Sequence, residues 1–176
     1  MLAVAAWVLL QLFVVELFTV RADSMAPTLE EGDRVLVLRP TLDRPVARGD
    51  VVVVDVRGTF VPGRAVTGPT SGTPLAPAPA DAFVVKRVVG LPGERVSCCD
   101  ADGQVTVDGR PLDETYLAAG VDPSRQPFDV VVPEGRIWVM GDNRAVSEDS
   151  RAHLGSPGGG TLAEQAVVGR VVQVFS

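Results

Sequence analysis

The sequence contains few of the side chains that most often carry catalysis or bind metals. It has one histidine, His153, and two cysteines, Cys98 and Cys99, which are adjacent. One histidine cannot form a histidine cluster around a metal, and adjacent cysteines lack the CxxC spacing of a redox or zinc site. Lys86 is the only lysine, since every other basic residue is an arginine. A nucleophilic serine that needs a basic partner is therefore limited to His153 or Lys86.

The composition is also poor in aromatic residues and in clusters of basic residues. Aromatic residues make up 5% of the 176 residues, whereas 46% are hydrophobic and 22% are charged, an ordinary globular mixture that predicts one domain. The formal net charge is −6 and no basic cluster stands out, so we expect no nucleic-acid partner. Abundant valine, glycine and proline favour short strands and turns, and the predicted fold is mainly β.

The longest apolar run lies at the start of the sequence. Residues 1–15, MLAVAAWVLLQLFVV, carry no charge. At about 1.5 Å per residue, a helix of this length is short for a hydrocarbon core of roughly 30 Å. We predict an N-terminal transmembrane anchor here and leave open whether a cytoplasmic start precedes it. A secretory signal peptide and a buried core helix are alternatives, although no Ala-x-Ala cleavage pattern follows and no cationic segment precedes.

Residues 16–176 are predicted to form a β domain. Valine-rich stretches with a period of two predict strands over Arg34–Arg39, Val51–Arg57, Ala82–Val89, Arg136–Gly141 and Val167–Phe175. The Asp108-Gly109 pair predicts a hairpin over Val105–Leu112, within a small accessory hairpin near residues 94–118. Repeated prolines mark residues 58–81 as a loop rather than a second domain.

Two residues stand out as a candidate nucleophile and base. Ser24 follows the apolar run, and Lys86 lies inside the apolar strand FVVKRVVG. Desolvation in such a strand would lower the lysine pKa, so that a neutral amine could take the proton of a serine hydroxyl. Taken alone, Ser24 could equally cap a turn and Lys86 could extend its amine to solvent from an edge strand. His153, in the Ser/Gly-rich stretch SRAHLGSPGGG, is more typical of a surface histidine.

A third stretch, residues 140–155, places many polar side chains directly after a predicted strand. Its sequence is MGDNRAVSEDSRAHLG. Such density is typical of a hydrogen-bonded loop beside a site, although a solvated turn stabilised by Asp142, Asn143 and Arg144 is the alternative.

Together these stretches resemble the bacterial type I signal peptidase family. The matching motifs, in the order of the family, are Ser24-Met25-x-Pro27-Thr28-Leu29, Arg48–Val54 (RGDVVVV), Lys86-Arg87-Val88-Val89-Gly90-x-x-Gly93 and Gly141-Asp142-Asn143-Arg144-x-x-Ser147-x-Asp149-Ser150-Arg151. They cover most of residues 13–155. The resemblance implies an antiparallel β-sheet catalytic domain on the extracytoplasmic side of the cell membrane, behind a single membrane helix.

The resemblance also implies a reaction and roles for individual residues. Members of the family remove N-terminal signal peptides from exported preproteins, using a serine nucleophile, a lysine base and an acyl-enzyme, with no metal and no cofactor. By this match Ser24 is the nucleophile, Lys86 is the base and Ser147 orients the lysine. Asp149 and Arg151 match a supporting ion pair. The positions that would line shallow apolar pockets for small substrate residues are Phe18, Val20, Ala22, Met25, Leu29 and Val85.

One departure from the family concerns the oxyanion hole. Many members carry a hydroxyl residue two positions before the nucleophile, and here that residue is Ala22. The Ser24 backbone N–H would then carry more of this role, and loss of one donor can cost roughly 3 kcal/mol. In an extracytoplasmic domain, Cys98 and Cys99 could form a vicinal disulfide or remain two buried thiols.

Two other functions are compatible with parts of the sequence. A related Ser/Lys protease with another substrate, such as a self-cleaving repressor, would need a DNA-binding segment that this sequence lacks. An inactive, membrane-tethered β module that binds exported chains would explain Ala22. Ser24, Lys86 and Ser147 argue against the inactive module, because a binding protein does not need them.

Overall fold

The computed structural model describes residues 15–39, 44–60 and 83–176. These residues form eleven strands and three short 3₁₀ helices. The strands are β1 (Val15–Thr19), β2 (Arg34–Leu38), β3 (Val51–Asp55), β4 (Phe83–Gly90), β5 (Arg95–Cys98), β6 (Val105–Val107), β7 (Arg110–Pro111), β8 (Phe128–Val131), β9 (Arg136–Met140), β10 (Leu162–Ala163) and β11 (Val167–Phe175). The 3₁₀ helices are Asp23–Met25, Ser150–His153 and Glu164–Ala166.

The strands form two antiparallel sheets, which confirms the prediction of a mainly β fold. The larger sheet has seven strands in the order β1-β2-β11-β3-β4-β9-β10, and the smaller has four in the order β7-β6-β5-β8. Among the described residues, no helix is long and apolar enough to cross a membrane. Most of the predicted anchor, residues 1–14, lies outside the described residues, and so does most of the proline-rich stretch, residues 61–81.

The centre of the large sheet is buried on both faces. In β3, Val52 and Val54 pack into one apolar cluster, whereas Val53 packs into the cluster on the opposite face. Successive side chains of a strand point to opposite faces, so a run of valines suits a strand that is covered on both sides. This burial explains why residues on the adjacent strand β4 lie in an apolar environment.

The predicted hairpin at Asp108-Gly109 is present in the small sheet. Asp108 and Gly109 both have positive φ, +51° and +74°, as the two central residues of a type I′ turn require. The small sheet also contains β5 and β8, which the sequence pattern did not reveal because both are short. Its inner face packs Phe128 against Trp138 of the large sheet, with ring centroids 5.2 Å apart. A disulfide joins Cys98 to Cys99 at the end of β5.

The first strand starts at the last residue of the predicted anchor. Val15 is in register with Leu38 in the antiparallel β1–β2 pair. Glu16 and Thr19 interrupt the apolar run within β1, which among the described strands pairs on one side only, with β2. The candidate nucleophile Ser24 therefore follows an edge strand of the large sheet, whereas Lys86 lies in the interior strand β4.

Candidate active site

Ser24 lies in a 3₁₀ turn that follows the edge strand β1. Ala22, just before this turn, is extended (φ −158°, ψ 152°), and Ala26 N–H closes the turn on the Asp23 carbonyl at 3.1 Å. The next residue, Met25, has no exposed surface and packs into an apolar core. The buried methionine therefore fixes the turn, while the neighbouring Ser24 remains half-buried at its surface.

Lys86 contacts Ser24 directly. Its Nζ lies 2.7 Å from Ser24 Oγ, although the two residues are 62 positions apart. Lys86 is in register with Val52, and Val84 and Val88 flank it on the same face of β4. Only 3% of the lysine is exposed. The structure thus brings the half-buried candidate nucleophile into hydrogen-bond contact with a buried candidate base.

This environment changes the protonation of Lys86. Burial lowers its pKa from 10.5 to about 8, because the charged ammonium loses its hydration. The carboxylates of Asp149 and Asp142 oppose the fall, and the cation of Arg151 adds to it. A lysine with a pKa near 8 supplies a useful fraction of neutral amine at physiological pH, and a neutral amine can accept a proton from a hydroxyl.

Ser147 and Gly141 lie beside this pair. Ser147 Oγ is buried and makes no hydrogen bond to another described residue, so its role in orienting Lys86 stays a prediction. Its hydroxyl is nevertheless close enough to Asp149 to help lower the pKa of that carboxyl. A Cβ on Gly141 would lie 2.2 Å from Ser147 Oγ and 2.4 Å from the Ser24 carbonyl oxygen. Only glycine fits at position 141, because any side chain would push these groups apart.

Asp149 and Arg151 form the ion pair that the resemblance of the motifs implied. Arg151 Nε donates to Asp149 Oδ1 at 2.9 Å and Nη2 donates to Oδ2 at 2.7 Å. Asp149 also accepts the backbone N–H of Gly141 at 2.9 Å. Burial disfavours the carboxylate, but these hydrogen bonds outweigh it and hold the pKa of Asp149 below its ordinary value. The pair ties the Ser150–His153 helix to the loop beside Ser24.

A second ion pair, between Arg87 and Asp142, was not predicted. Arg87 Nε and Nη2 donate to the two Asp142 carboxylate oxygens at 2.8 and 2.6 Å, and Thr28 Oγ1 donates to the same carboxylate at 2.5 Å. The following residue, Asn143, donates its backbone N–H to the Ser24 carbonyl at 3.1 Å. The motifs contain all four residues, but nothing in their spacing indicates that they meet.

The backbone N–H of Ser24 is the candidate oxyanion donor that the structure offers. The 3₁₀ turn uses the Ala26 N–H for its own hydrogen bond, and the first N–H groups of a helical turn have no partner within it. Ala22 is exposed and its side chain has no donor. An oxyanion near Ser24 would therefore rely on backbone groups.

The residues predicted to line apolar pockets divide into two groups. Val20, Met25 and Leu29 are buried in the core and do not form an open surface. Phe18 and Val85 are partly exposed beside that core, and Ala22 is exposed. The sequence could not separate the groups, because all six are small or apolar.

His153, the only histidine of the sequence, packs against an aromatic residue. Its ring stacks on Phe60, with centroids 4.0 Å apart and ring planes within 8° of parallel. A stacked, partly exposed ring fits the prediction that His153 is not the catalytic base.

Comparison with known proteins identifies the family of this chain. The family described as "Signal peptidase, peptidase S26" matches residues 1–176. Signal peptidase I of Mycobacterium tuberculosis is 35% identical to this chain, over 96% of this chain and 67% of that protein. A probable signal peptidase I-1 of Synechocystis is 34% identical (99% and 78%), and signal peptidase I of Bacillus amyloliquefaciens is 32% identical (99% and 80%). The chain therefore belongs to the signal peptidase I (peptidase S26) family.

Proposed function

We propose that this chain is a membrane-bound serine endopeptidase that removes N-terminal signal peptides from exported preproteins. The observation that carries the proposal is the 2.7 Å contact between Lys86 Nζ and Ser24 Oγ, with the lysine buried. A serine hydroxyl is a weak nucleophile until a base within hydrogen-bond distance takes its proton. The lowered pKa of Lys86 makes it such a base.

The reaction proceeds through an acyl-enzyme. Neutral Lys86 takes the Ser24 hydroxyl proton while Oγ attacks the scissile carbonyl, and the negative charge on the carbonyl oxygen is stabilised by the Ser24 N–H. The intermediate collapses when the C–N bond breaks and Lys86 returns the proton to the leaving amine. Water, deprotonated by Lys86, then attacks the ester, and the proton returns to Ser24 as the signal peptide is released with a free carboxyl group.

The position of Ser24 suits a substrate that emerges from a bilayer. Ser24 lies nine residues after the uncharged segment 1–15, so the proposed anchor would keep the site close to the membrane surface on its extracytoplasmic side. A signal peptide presents its cleavage site near that surface once its own apolar segment is in the bilayer. Phe18, Ala22 and Val85 remain accessible for contact with the small residues that precede the cut.

Cleavage of a preprotein tests the proposal. Purified protein in detergent should cut a preprotein whose signal peptide ends in Ala-x-Ala, directly after that motif. Ser24→Ala and Lys86→Met should lower the rate by at least about a thousandfold, as loss of a nucleophile or its base does. Arg110→Met is the matched control, because it removes an exposed cation on β7 and should keep the native rate.

The outcomes separate this proposal from its rivals. Cleavage that survives in Lys86→Met would exclude the dyad and direct attention to His153. Absence of cleavage by the native protein, with the same preprotein bound, would favour the inactive module. In that case Ala22→Ser, which restores a side-chain donor near the oxyanion, is the variant to examine first.

A further inference from the structure

A partly buried network next to Lys86 is not used directly by the proposed reaction. Its centre is Tyr116, the only tyrosine, in the segment that follows β7. The guanidinium carbon of Arg87 lies 4.0 Å from the centroid of the Tyr116 ring, and that of Arg144 lies 6.0 Å from it. Arg87 is the neighbour of Lys86 in β4, and Arg144 belongs to the loop that holds Ser24.

The ring of Tyr116 contacts the guanidinium of Arg87, the arginine beside Lys86. A cation over an aromatic face at this distance is attracted by the ring, more strongly when both are shielded from water. Arg87 is held here while its Nε and Nη2 bind Asp142. Asp142 in turn precedes Asn143, whose N–H binds the Ser24 carbonyl. The ring thus supports the contacts that place Ser24 opposite Lys86.

The hydroxyl of Tyr116 is linked to the second arginine, Arg144, through Glu114. It donates to Glu114 Oε1 at 2.9 Å, and Glu114 pairs with both terminal nitrogens of Arg144. Arg144 Nε donates to the Gly141 carbonyl at 3.0 Å. Burial, together with the charge of Glu114, raises the pKa of Tyr116 well above its ordinary value, so the hydroxyl remains a donor throughout the physiological range.

We propose that Tyr116 is a positioning residue for the Ser24–Lys86 pair, acting through Arg87 on Asp142. The proposal rests on the proposed protease function for its kinetic consequence, but its electrostatic consequence does not depend on turnover. When Arg87 is held in place, its charge offsets that of Asp142 near Lys86. The charged groups that act directly on Lys86 are Asp149, Asp142, Arg151 and Glu148, so Arg87 acts on it only by way of Asp142. Without the ring, Arg87 should be held less firmly, and its positive charge should then neutralise less of the Asp142 carboxylate charge near Lys86.

Two substitutions separate the ring from the hydroxyl. Tyr116→Leu removes the aromatic face, and we expect kcat for the preprotein to fall roughly tenfold with a small change in KM. Tyr116→Phe keeps the face and should recover most of that rate. Phe128→Leu is the matched control, because it loosens the packing between the sheets at Trp138 without touching the network.

The titration of Lys86 provides a readout that a general loss of stability would not move. Because Lys86 is the only lysine, protein labelled with ¹³C-lysine gives one lysine signal whose pH dependence reports its pKa directly. We expect Tyr116→Leu to raise that pKa by about half a unit, since an uncompensated carboxylate favours the ammonium. Tyr116→Phe and Phe128→Leu should leave it unchanged.

Three results would overturn the proposal. Tyr116→Leu could retain both the native kcat and the native lysine titration, Tyr116→Phe could be as impaired as Tyr116→Leu, or Phe128→Leu could shift the titration equally. If the native protein did not cleave preproteins, the protease function would fail and the titration alone would decide the role of Tyr116. If Lys86→Met abolished cleavage while Tyr116→Leu changed nothing, only the role of Tyr116 would fail.

Discussion

The lysine in the site lies in surroundings that oppose its charge. Val52, which is in register with it, is completely buried, and only 3% of Lys86 itself is exposed. A cation in such a position reduces the stability of the fold, because its native pKa of about 8 lies below its ordinary value of 10.5. The same shift supplies the neutral amine that the proposed reaction needs. Activity and stability are therefore opposed at this one residue.

This opposition predicts a more stable but inactive variant. Below pH 8 the lysine is protonated in both states, and the loss of folding stability caused by burying its charge is complete. This loss becomes smaller as pH rises from 8 and disappears above 10.5, where the lysine is neutral in both states. Lys86→Met keeps the volume and removes the charge, and it should stabilise the fold at pH 7 by about 3 kcal/mol.

Urea unfolding of both proteins at pH 7 and near pH 10.5 measures this difference. The stabilisation should be large at the lower pH and small at the higher one. A variant that is less stable than the native protein at pH 7 would mean that contacts of the ammonium, such as that to Ser24, outweigh its desolvation.

At the scale of elements, Asp149 joins the 3₁₀ helix Ser150–His153 to the loop beside Ser24. The Asp149 carboxylate accepts the Arg151 N–H at the start of this helix and binds the Arg151 guanidinium. It also accepts the Gly141 N–H at the end of β9. One buried carboxylate therefore fixes both ends of the loop that contains Ser147.

Replacing Asp149 should loosen that loop and destabilise the protein. Asp149→Asn keeps the shape but leaves Arg151 buried without a counter-charge, and we expect a loss of about 3 kcal/mol in unfolding free energy and reduced cleavage. The exposed pair Arg95–Asp129 is the matched control, since Asp129→Asn breaks an ion pair in solvent and should change stability by less than about 1 kcal/mol.

Acid should reproduce part of the effect of Asp149→Asn. The native pKa of Asp149 is lowered, so its contribution is complete above the ordinary carboxyl pKa of 3.8 and is lost as pH falls through the native value. Thermal melts of native and Asp149→Asn protein at pH 7 and below pH 3.8 provide the measurement, and the difference between the two proteins should shrink at the lower pH. Equal melting temperatures of native and Asp149→Asn protein at pH 7 would contradict a stabilising role for the pair.

The elements also show what could be predicted from the sequence. The strands of the large sheet that are rich in valine were predicted because their apolar residues alternate or run continuously between turns. The strand β1 was not predicted, because its residues continue the apolar N-terminal run and this run obscures the alternation of side chains that is typical of a strand. Of the small sheet, the Asp108-Gly109 hairpin was predicted from its turn, whereas β5 and β8 lack such a signal.

Within the site, the small number of possible bases pointed to two residues that the structure brings into contact. Ser24 and Lys86 were found because the chain offers one lysine and one histidine as bases, and because the motifs around them resemble a known family. The Arg87–Asp142 pair and the ring of Tyr116 were not found, since these contacts join residues 55 and 29 positions apart. Tertiary contacts of this kind depend on how the sheets pack, which spacing along the chain does not encode.

At the scale of the whole molecule, the two sheets contribute different residues to the site. The large sheet carries Lys86 on its buried strand β4 and presents Ser24 just beyond its edge strand β1. The segment after the small sheet's β7 reaches back to the site through Tyr116. Packing and two ion pairs, Arg87–Asp142 and Arg151–Asp149, hold three elements together. These elements are the turn after β1, the buried strand β4 and the loop after β9. In this arrangement, the protonation of Lys86 decides whether the proposed Ser24–Lys86 pair can react.

The most direct measurement compares that protonation with catalysis in the same protein. The pH dependence of kcat/KM for an Ala-x-Ala preprotein reports the pKa of the essential base in the free enzyme, and the ¹³C-lysine signal reports the pKa of Lys86 itself. We predict that both midpoints fall at about 8, with activity lost as pH drops below that value. A lysine that titrates near 10.5, or a rate that stays flat through mildly acidic pH, would contradict the assignment of Lys86 as the base.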